Sequence, residues 1–287
     1  MPADVRTPVI DAHHHLWDVD LHRYPGLASP RNRIARQYLV DDFLCDAANC
    51  SLIKSVHVQG EIDRSQSVTE TAWLQAIADQ HGFPHGIVAY APLQDPQLDE
   101  ILAKHAQHAN LRGIRQILNP DQCEQPDYLT DPAWQAGYAR LAEYGLSFDL
   151  QALPEQMLAA AEVAAAHPRI PMVVNHSGMP RDQSPAGQDR WRRGMRALAG
   201  HPHVSVKISG FGMFDPAWTV DSIRPFVRTT IDLFGGDRCM FASNFPVDKL
   251  FRSYDAVYEA FDTLTADLPY ADRVKLFGAN AERIYRL

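Results

Sequence analysis

The chain has 287 residues, of which 46% are hydrophobic, and its 35 acidic against 27 basic side chains give a formal net charge of −8. No run of lysine and arginine forms the basic surface that nucleic acid requires, and no stretch approaches the roughly 18 consecutive apolar residues of a membrane span. We therefore expect a soluble protein that acts on a small molecule and has neither a nucleic-acid nor a membrane partner.

The cysteines and the first residues predict the cellular compartment. The four cysteines form no C-x-x-C pair and have no spacing typical of a disulfide framework or a zinc knot; they are Cys45, Cys50, Cys123 and Cys239. The start, from Met1 to Thr7, is short and polar and lacks the apolar core of a signal peptide. We expect reduced thiols and a cytoplasmic location. A homo-oligomer is compatible with the sequence, which does not decide the point.

Short apolar or β-branched runs alternate with stretches of helical periodicity, a pattern typical of parallel strands joined by helices. The runs recur about every 33 residues, the length of one strand, one helix and two loops. The eight predicted strands are 9–15, 54–60, 86–92, 113–118, 146–151, 172–176, 204–209 and 240–244. Eight such units close a barrel, so we predict an α/β fold, a single-domain (β/α)8 barrel, over residues 1–287.

Helices are predicted where good helix formers carry apolar residues at three-to-four spacing, over 67–80, 96–108, 132–144, 154–167, 188–199 and 222–234. Pro132, Pro154 and Pro225 suit the first turns of their helices, where a missing N–H costs little. The connection 17–38 is long and rich in proline, arginine and aromatic residues, and the connection 178–187 contains two prolines and has little periodicity. We predict that both act as lids.

Histidines at the end of strand one are the first candidates for chemistry, because α/β-barrel sites lie at the carboxyl ends of the strands. Strand one ends in Asp11-Ala-His13-His14-His15, and His176 ends strand six. His13 and His15 are two residues apart and point to the same side of an extended strand, so His14 points the other way. A pair of histidines on a strand is more often structural. Three converging neutral imidazoles, however, would form a zinc site that activates water or polarises a carbonyl.

Polar residues also end or line other strands: Gln59, Asp149, Gln151, Lys207, Ser209 and Asn244. Each of them alone is equally well explained by a structural role in the polar rim of the barrel. Lys207 carries more weight, because a lysine within an apolar strand must find a partner or carry a perturbed pKa. It would stabilise an oxyanion or bind a carboxylate. On strand four we expect Arg115 to reach the cavity and Arg112 to stay solvated or ion-paired near the strand start.

Five motifs run from strand one to the C-terminus: Ile10-Asp-Ala-His-His-His-Leu-Trp-Asp18, Asn175-His-Ser-Gly-Met-Pro180, Val206-Lys-Ile-Ser-Gly210, Met240-Phe-Ala-Ser-Asn-Phe-Pro-Val-Asp248 and Phe277-Gly-Ala-Asn-Ala-Glu-Arg-Ile-Tyr-Arg-Leu287. Together they resemble the amidohydrolase-2 branch of the amidohydrolase superfamily. Within it the chain most resembles the lactonase group, which includes sugar-acid lactonases such as fuconolactonase and pyrone-dicarboxylate and muconolactone hydrolases. The predicted catalytic residues are His13, His15, His176, Lys207, Asn244 and Asp149. The predicted substrate-binding residues are Gln59, Arg115, Trp17 and Gln151, and the predicted metal ligands are His13, His15 and His176.

Two positions depart from that group. Its strand eight usually ends in Asp, which handles the proton of the attacking water, but this chain has Asn244, and Asn175 replaces a common Asp before His176. An amide does not serve as a general base near neutral pH. The base would then be Asp149, Asp248 or one of the three histidines. One zinc ion held by three neutral ligands would bind weakly or be dispensable.

The leading prediction is a hydrolase of carbohydrate metabolism, a lactonase that opens the cyclic ester of a sugar acid by attack of water on the carbonyl. Ester hydrolysis tolerates a weaker base than amide hydrolysis. A metal, or Lys207 if no metal binds, would stabilise the oxyanion. The alternatives are a metal-dependent decarboxylase that holds a carboxylate through Arg115 or Lys207, an amide hydrolase, and a binding protein that has lost catalysis.

Overall fold

Eight parallel strands form a nearly closed barrel with helices between them, which confirms the predicted (β/α)8 fold. The computed structural model describes residues 7–27, 34–120 and 127–287. Each strand pairs with the next one along the chain, in the order β1 to β8. The strands are β1 (Val9–His14), β2 (Leu52–Val58), β3 (Gly86–Ala89), β4 (Leu111–Ile114), β5 (Ser147–Leu150), β6 (Met172–Val174), β7 (Val204–Ile208) and β8 (Cys239–Phe241).

Backbone and side-chain hydrogen bonds join the first strand to the segment after the last. The amide of His15 donates to the carbonyl of Phe245 at 2.7 Å, and the amide of Asn244 donates to the carbonyl of His13 at 2.8 Å. The buried carboxylate of Asp11 accepts from the amide of Ser243 at 2.9 Å and from its hydroxyl at 2.6 Å. The end of β1 is therefore held against the end of β8, where the candidate site lies.

Helices surround the barrel: α1 (Val40–Asp46), α2 (Ser67–His81), α3 (Leu98–His105), α4 (Pro132–Arg140), α5 (Met157–Ala166), α6 (Pro185–Ala199), α7 (Val220–Phe234), α8 (Tyr254–Leu264), α9 (Tyr270–Val274) and α10 (Asn280–Tyr285). Several helices are preceded by an N-cap residue whose side chain accepts a hydrogen bond from an amide of the first turn. These residues are Asp131, Ser184, Thr219 and Ser253. The sequence prediction missed α1 and the helices after β8.

One proline prediction is wrong. Pro132 and Pro154 do lie in the first turns of α4 and of a short 3-10 turn before α5. Pro225, however, lies inside α7, because the cap at Thr219 starts that helix at Val220, earlier than predicted. Without an N–H, Pro225 cannot donate to the carbonyl four residues before it.

The C-terminal helix covers the floor of the barrel. Arg112, on β4, donates through Nε to the carbonyl of Arg286 at 3.2 Å, and Lys54, on β2, donates to the carbonyl of Leu287 at 3.0 Å. Tyr285 is buried with residues of the barrel interior, including Ile10 and Val56. Arg112 thus stays near the start of its strand, as predicted, although carbonyl oxygens rather than carboxylates accept its hydrogen bonds.

The two predicted lids differ in structure. The two ends of the first, 17–38, are held together, because Trp17 and Tyr38 exchange backbone hydrogen bonds of 2.8 and 2.9 Å. Its residues 28–33 lie outside the described ranges. The second runs into α6, which begins at Pro185. Cys45, Cys50 and Cys239 form no disulfide within the described ranges, and Cys123 lies outside them. In the described part of the chain, no helix has the length and apolar character needed to cross a membrane.

Candidate active site

His13 and His15 end β1 and point into the barrel mouth, with ring centroids 5.0 Å apart. His13 is fully buried and His15 is 4% exposed. His14 points to the opposite side, where its ring stacks on Phe43 with centroids 4.0 Å apart and its Nε2 lies 2.9 Å from the hydroxyl of Ser55. The alternation expected of an extended strand therefore separates one structural histidine from two at the site.

His176 follows β6 and completes a cluster of three imidazoles, its ring centroid lying 4.6 Å from that of His13. Its Nδ1 lies 3.0 Å from the hydroxyl of Ser209, which follows β7. A Cβ atom on Gly210 would lie 2.7 Å from the same Nδ1, so only glycine leaves room for the ring at that position. The ends of β6 and β7 together fix the orientation of His176.

All three imidazoles are held neutral. Burial is the largest cause that lowers the pKa of His13, His15 and His176 well below the usual value. The positive charge of Arg115 lowers all three further, and that of Lys207 lowers the pKa of His13 and His176. His15 Nδ1 donates to the carbonyl of Val58 at 2.7 Å, because a carbonyl oxygen only accepts, and this leaves Nε2 unprotonated. Neither ring nitrogen of His13 has a hydrogen-bond partner among the described residues.

Lys207 and Asp149 form a fully buried ion pair beneath the histidines, with Nζ 2.6 Å from Oδ2. The carboxylate also accepts from the hydroxyl of Tyr285 at 2.8 Å and from Nδ2 of Asn175 at 3.0 Å. Burial lowers the pKa of Lys207 to about 8, although Asp149 opposes the shift. Asp149 thus faces three protein donors, an arrangement suited to charge balance and positioning.

Arg115 lies at the end of β4 and reaches across the barrel mouth, while Arg112 does not. Arg115 Nη1 donates to Gln151 Oε1 at 2.8 Å, and Arg115 Nη2 donates to the carbonyl oxygen of Gln59. The side chain of Gln59 turns the other way, accepting from the amide of Glu61 at 2.6 Å. Burial lowers the pKa of Arg115 to about 10, still far above neutrality. Three of the predicted substrate-binding residues are therefore joined in one network.

Asn244 follows β8 in a left-handed conformation with φ 58°. Its Nδ2 donates to Asp248 Oδ2 at 2.8 Å, and the amide of Gly212 donates to the other oxygen at 2.9 Å. Burial raises the pKa of Asp248 to about 7. The carboxyl group of Asp248 is thus held by the side chain of Asn244 and the backbone of Gly212.

Backbone strain collects at this end of the barrel. Non-glycine residues in the left-handed region follow β2, β6 and β8: Glu61, His176, Ser177, Met179 and Asn244. Such conformations cost about 1–3 kcal/mol each and persist where surrounding contacts impose them, often at functional sites. The strain coincides with the strand ends that carry the candidate residues.

Trp17 lies beside His15, and the sequence analysis missed Glu70, a buried carboxyl group hydrogen-bonded to the backbone of Gly60. The indole of Trp17 lies parallel to the ring of His15, with centroids 5.7 Å apart. Glu70, on α2, is 1% exposed, and its pKa is raised to about 8 by burial, against the lowering effects of the Gly60 amide and Arg115. The sequence could have indicated that Glu70 is buried, because it lies four residues before Leu74 and therefore on the same, apolar face of α2.

The three histidines do not form a complete metal site. Their chemistry suits a divalent ion in part, since His15 offers an unprotonated nitrogen and both nitrogens of His13 are unpartnered within the described ranges. Yet no group of three or more His, Cys, Asp or Glu side chains among those residues is placed to hold a metal. Lys207 and Arg115 bring positive charge to the same space, and β8 leads to an amide rather than a carboxylate. The predicted zinc ion stays a prediction.

Comparison with known proteins gives a family and related chains. The family model described as amidohydrolase matches residues 10–287. An uncharacterized protein of Sinorhizobium fredii is 43% identical over 97% of this chain and 98% of its own. The L-fucono-1,5-lactonase of Burkholderia multivorans is 29% identical over 97% of this chain and 96% of its own. A crystal structure of an amidohydrolase from Burkholderia multivorans with bound zinc has a TM-score of 0.87 and 29% identity, covering 98% of this chain and 99% of that one.

Proposed function

Since the chain belongs to the amidohydrolase family, we propose that it is a lactonase that opens the cyclic ester of a sugar acid. One observation carries the proposal: three buried neutral imidazoles and two buried cations meet at one end of the barrel, in a chain similar over 97% of its length to L-fucono-1,5-lactonase. The roles below follow from the hydrogen bonds and charges of these residues.

His13 is the proposed base. Its ring nitrogens are buried and free of protein partners in the described part of the chain, and its lowered pKa keeps it neutral, so it can accept a hydrogen bond from water. A base of such low pKa is weak, but a lactone carbonyl is more reactive than an amide. Water attacks the carbonyl carbon as His13 takes its proton, and the bond from carbon to the ring oxygen then breaks. Return of the proton to that oxygen completes a hydroxy acid.

Lys207 is the proposed source of positive charge for the oxyanion. It is the charged group with the largest effect on the pKa of His13, so its field acts where the base and the carbonyl would meet. Only Asp149 accepts a recorded hydrogen bond from Nζ among the described residues, and an ammonium has three N–H donors. Asp149, Tyr285 and Asn175 would position Lys207 without touching the reacting atoms.

The hydrogen bonds of Arg115 do not favour the alternative decarboxylase. A decarboxylase would need Arg115 or Lys207 to grip a substrate carboxylate. However, both Nη atoms of Arg115 already donate to Gln151 and Gln59. None of these steps requires a metal ion, and we propose that zinc binds weakly.

A pH-indicator screen of purified protein against L-fucono-1,5-lactone and other aldonolactones tests the proposal. We expect acid release from at least one of them. Carbon dioxide release from carboxylated aromatic substrates, measured in parallel, tests the decarboxylase. Inactivity on every lactone while another reaction proceeds would overturn the lactonase, and tight binding of an aldonolactone without turnover would instead indicate a binding protein.

A further inference from the structure

Four consecutive residues in the left-handed region form the turn that begins at His176, shortly after β6. The φ angles of His176, Ser177, Gly178 and Met179 are 52°, 50°, 72° and 52°. Three of these residues carry a Cβ atom, which makes the left-handed conformation unfavourable, so the turn persists only where other contacts impose it. The imidazole of His176 is therefore presented to the histidine cluster by a strained backbone.

The indole of Trp191, on α6, binds this turn through a hydrogen bond. Trp191 Nε1 donates to the carbonyl oxygen of Ser177 at 2.7 Å, and Trp191 is 1% exposed. The backbone hydrogen bond from the amide of Met179 to the carbonyl of His176, at 2.9 Å, joins two residues of the turn itself. Trp191 instead joins the turn to a helix, across 14 residues of the chain. The conformation of the turn therefore depends on α6.

Side chains of α5 and α6 also pack against the turn at Gly178. A Cβ atom on Gly178 would lie 2.4 Å from Met157 Cε and 2.6 Å from Met195 Sδ, so a larger residue there would displace these side chains. Methionine side chains adapt to many shapes, whereas an N–H···O bond favours one direction. Met157 and Met195 therefore fill the space beside the turn, and the hydrogen bond of Trp191 is the directional contact.

The imidazole at the start of the turn has close neighbours in the candidate site. His176 Nδ1 lies 3.0 Å from the hydroxyl of Ser209, and the ring centroid lies 4.6 Å from that of His13, the proposed base. A small displacement of the turn would change both distances. We propose that Trp191 is a positioning residue, which holds the left-handed turn through the carbonyl of Ser177 and so keeps the imidazole of His176 in the cluster.

This inference rests on the proposed lactonase for its kinetic test, whereas the environment of His176 can be measured without turnover. Trp191→Phe removes the indole N–H and keeps an aromatic ring. On the lactone that the screen identifies, kcat should fall about 10-fold or more and KM should stay within about 2-fold, because the substrate contacts remain while the cluster is misplaced. The imidazole nitrogen NMR resonances of His176, assigned by their absence in His176→Ala, should shift.

Trp134→Phe is the matched control, because it removes a similarly buried indole hydrogen bond, from Nε1 to Gln116 Oε1 at 2.9 Å, away from the turn. It should leave kcat and the His176 resonances close to those of the wild type. Circular dichroism checks that each variant is folded.

Ser177→Gly provides a second variant, because glycine adopts positive φ without a steric cost and Ser177 Oγ has no partner among the described residues. Combined with Trp191→Phe, it should give a kcat between those of Trp191→Phe and the wild type. The double variant carries the same comparison if Trp191→Phe alone does not fold.

A folded Trp191→Phe with wild-type kcat and unchanged His176 resonances would overturn the inference, as would an equal loss of kcat in Trp134→Phe. Inactivity of the wild type on every lactone would overturn the proposed function alone, and the His176 resonances would then decide the inference.

Discussion

Lys207 Nζ lies 2.6 Å from Asp149 Oδ2, and both side chains are fully buried. The Tyr285 hydroxyl, which belongs to the helix on the barrel floor, donates to the same carboxylate at 2.8 Å. Nζ also lies 4.9 Å from the centroid of the Tyr285 ring. The ion pair therefore connects the floor of the barrel with the histidines at its mouth.

Asp149→Asn should strongly destabilise the protein, because it leaves the buried ammonium of Lys207 without its counter-charge. Removing one partner of a buried ion pair costs about 3–5 kcal/mol. Urea denaturation measures the change. Asp99→Asn, which breaks an exposed pair with Arg140, is the control and should change stability little. Equal effects of the two substitutions would contradict the central role of the pair.

His176→Ala should abolish lactone turnover, because the imidazole lies 4.6 Å from His13 between centroids and closes the cluster. The measurement is kcat/KM on the lactone that the screen identifies, with circular dichroism to confirm folding. His81→Ala, an exposed histidine at the end of α2, should retain wild-type kcat/KM. Near wild-type turnover by His176→Ala would show that the three-histidine site is wrong.

Asn244→Asp should raise the affinity for zinc and destabilise the fold as the pH rises. The new carboxylate would stand where Nδ2 now donates to Asp248 at 2.8 Å, so two carboxyl groups would face each other. Their repulsion should raise the pKa of Asp248 above its present value of about 7. Urea denaturation at pH 5 and pH 9, with zinc titration at neutral pH, measures both effects. Unchanged zinc affinity and a wild-type pH profile would refute the expectation.

Glu70→Gln should stabilise the protein at high pH relative to the wild type. The pKa of Glu70 in the folded protein, about 8, exceeds its ordinary value of 4.5. The free energy of unfolding of the wild type therefore decreases as the pH rises from about 4.5 to about 8, because the unfolded chain releases this proton more readily. Each pKa unit corresponds to about 1.4 kcal/mol. The stability difference between variant and wild type should therefore be larger at pH 9 than at pH 5 in urea denaturation. A difference independent of pH would mean that Glu70 is not held protonated.

Zinc should be present in less than one equivalent after purification without added metal, and chelation should leave most lactonase activity intact. The reason is that the described residues contain no complete metal site, while two cations share the space around the three histidines. Elemental analysis followed by kcat/KM before and after chelation measures this. One full equivalent of zinc, with activity lost on chelation and restored by zinc, would show that the ion is required.

The sequence by itself determined the barrel and the histidine geometry on β1. Apolar runs at regular intervals are a local property, and so is the two-residue period that puts His13 and His15 on one side and His14 on the other. The sequence also contains Thr219, the residue that caps the start of α7. A prediction from apolar periodicity alone begins this helix too late, and it therefore puts Pro225 in the first turn rather than inside the helix. Boundaries depend on single hydrogen bonds, which periodicity does not register.

Only the tertiary structure decided what each polar side chain meets. Asp149 and Lys207 are 58 residues apart, and Tyr285 is 136 residues from Asp149, so no spacing rule pairs them. The same holds for Glu70, which α2 brings beside Gly60 and Arg115. Strand patterns tell which side of the sheet a residue faces, whereas the partner at that side comes from another strand or helix. A carboxylate that looked like a base in the sequence is therefore, in the folded barrel, the partner of a buried lysine.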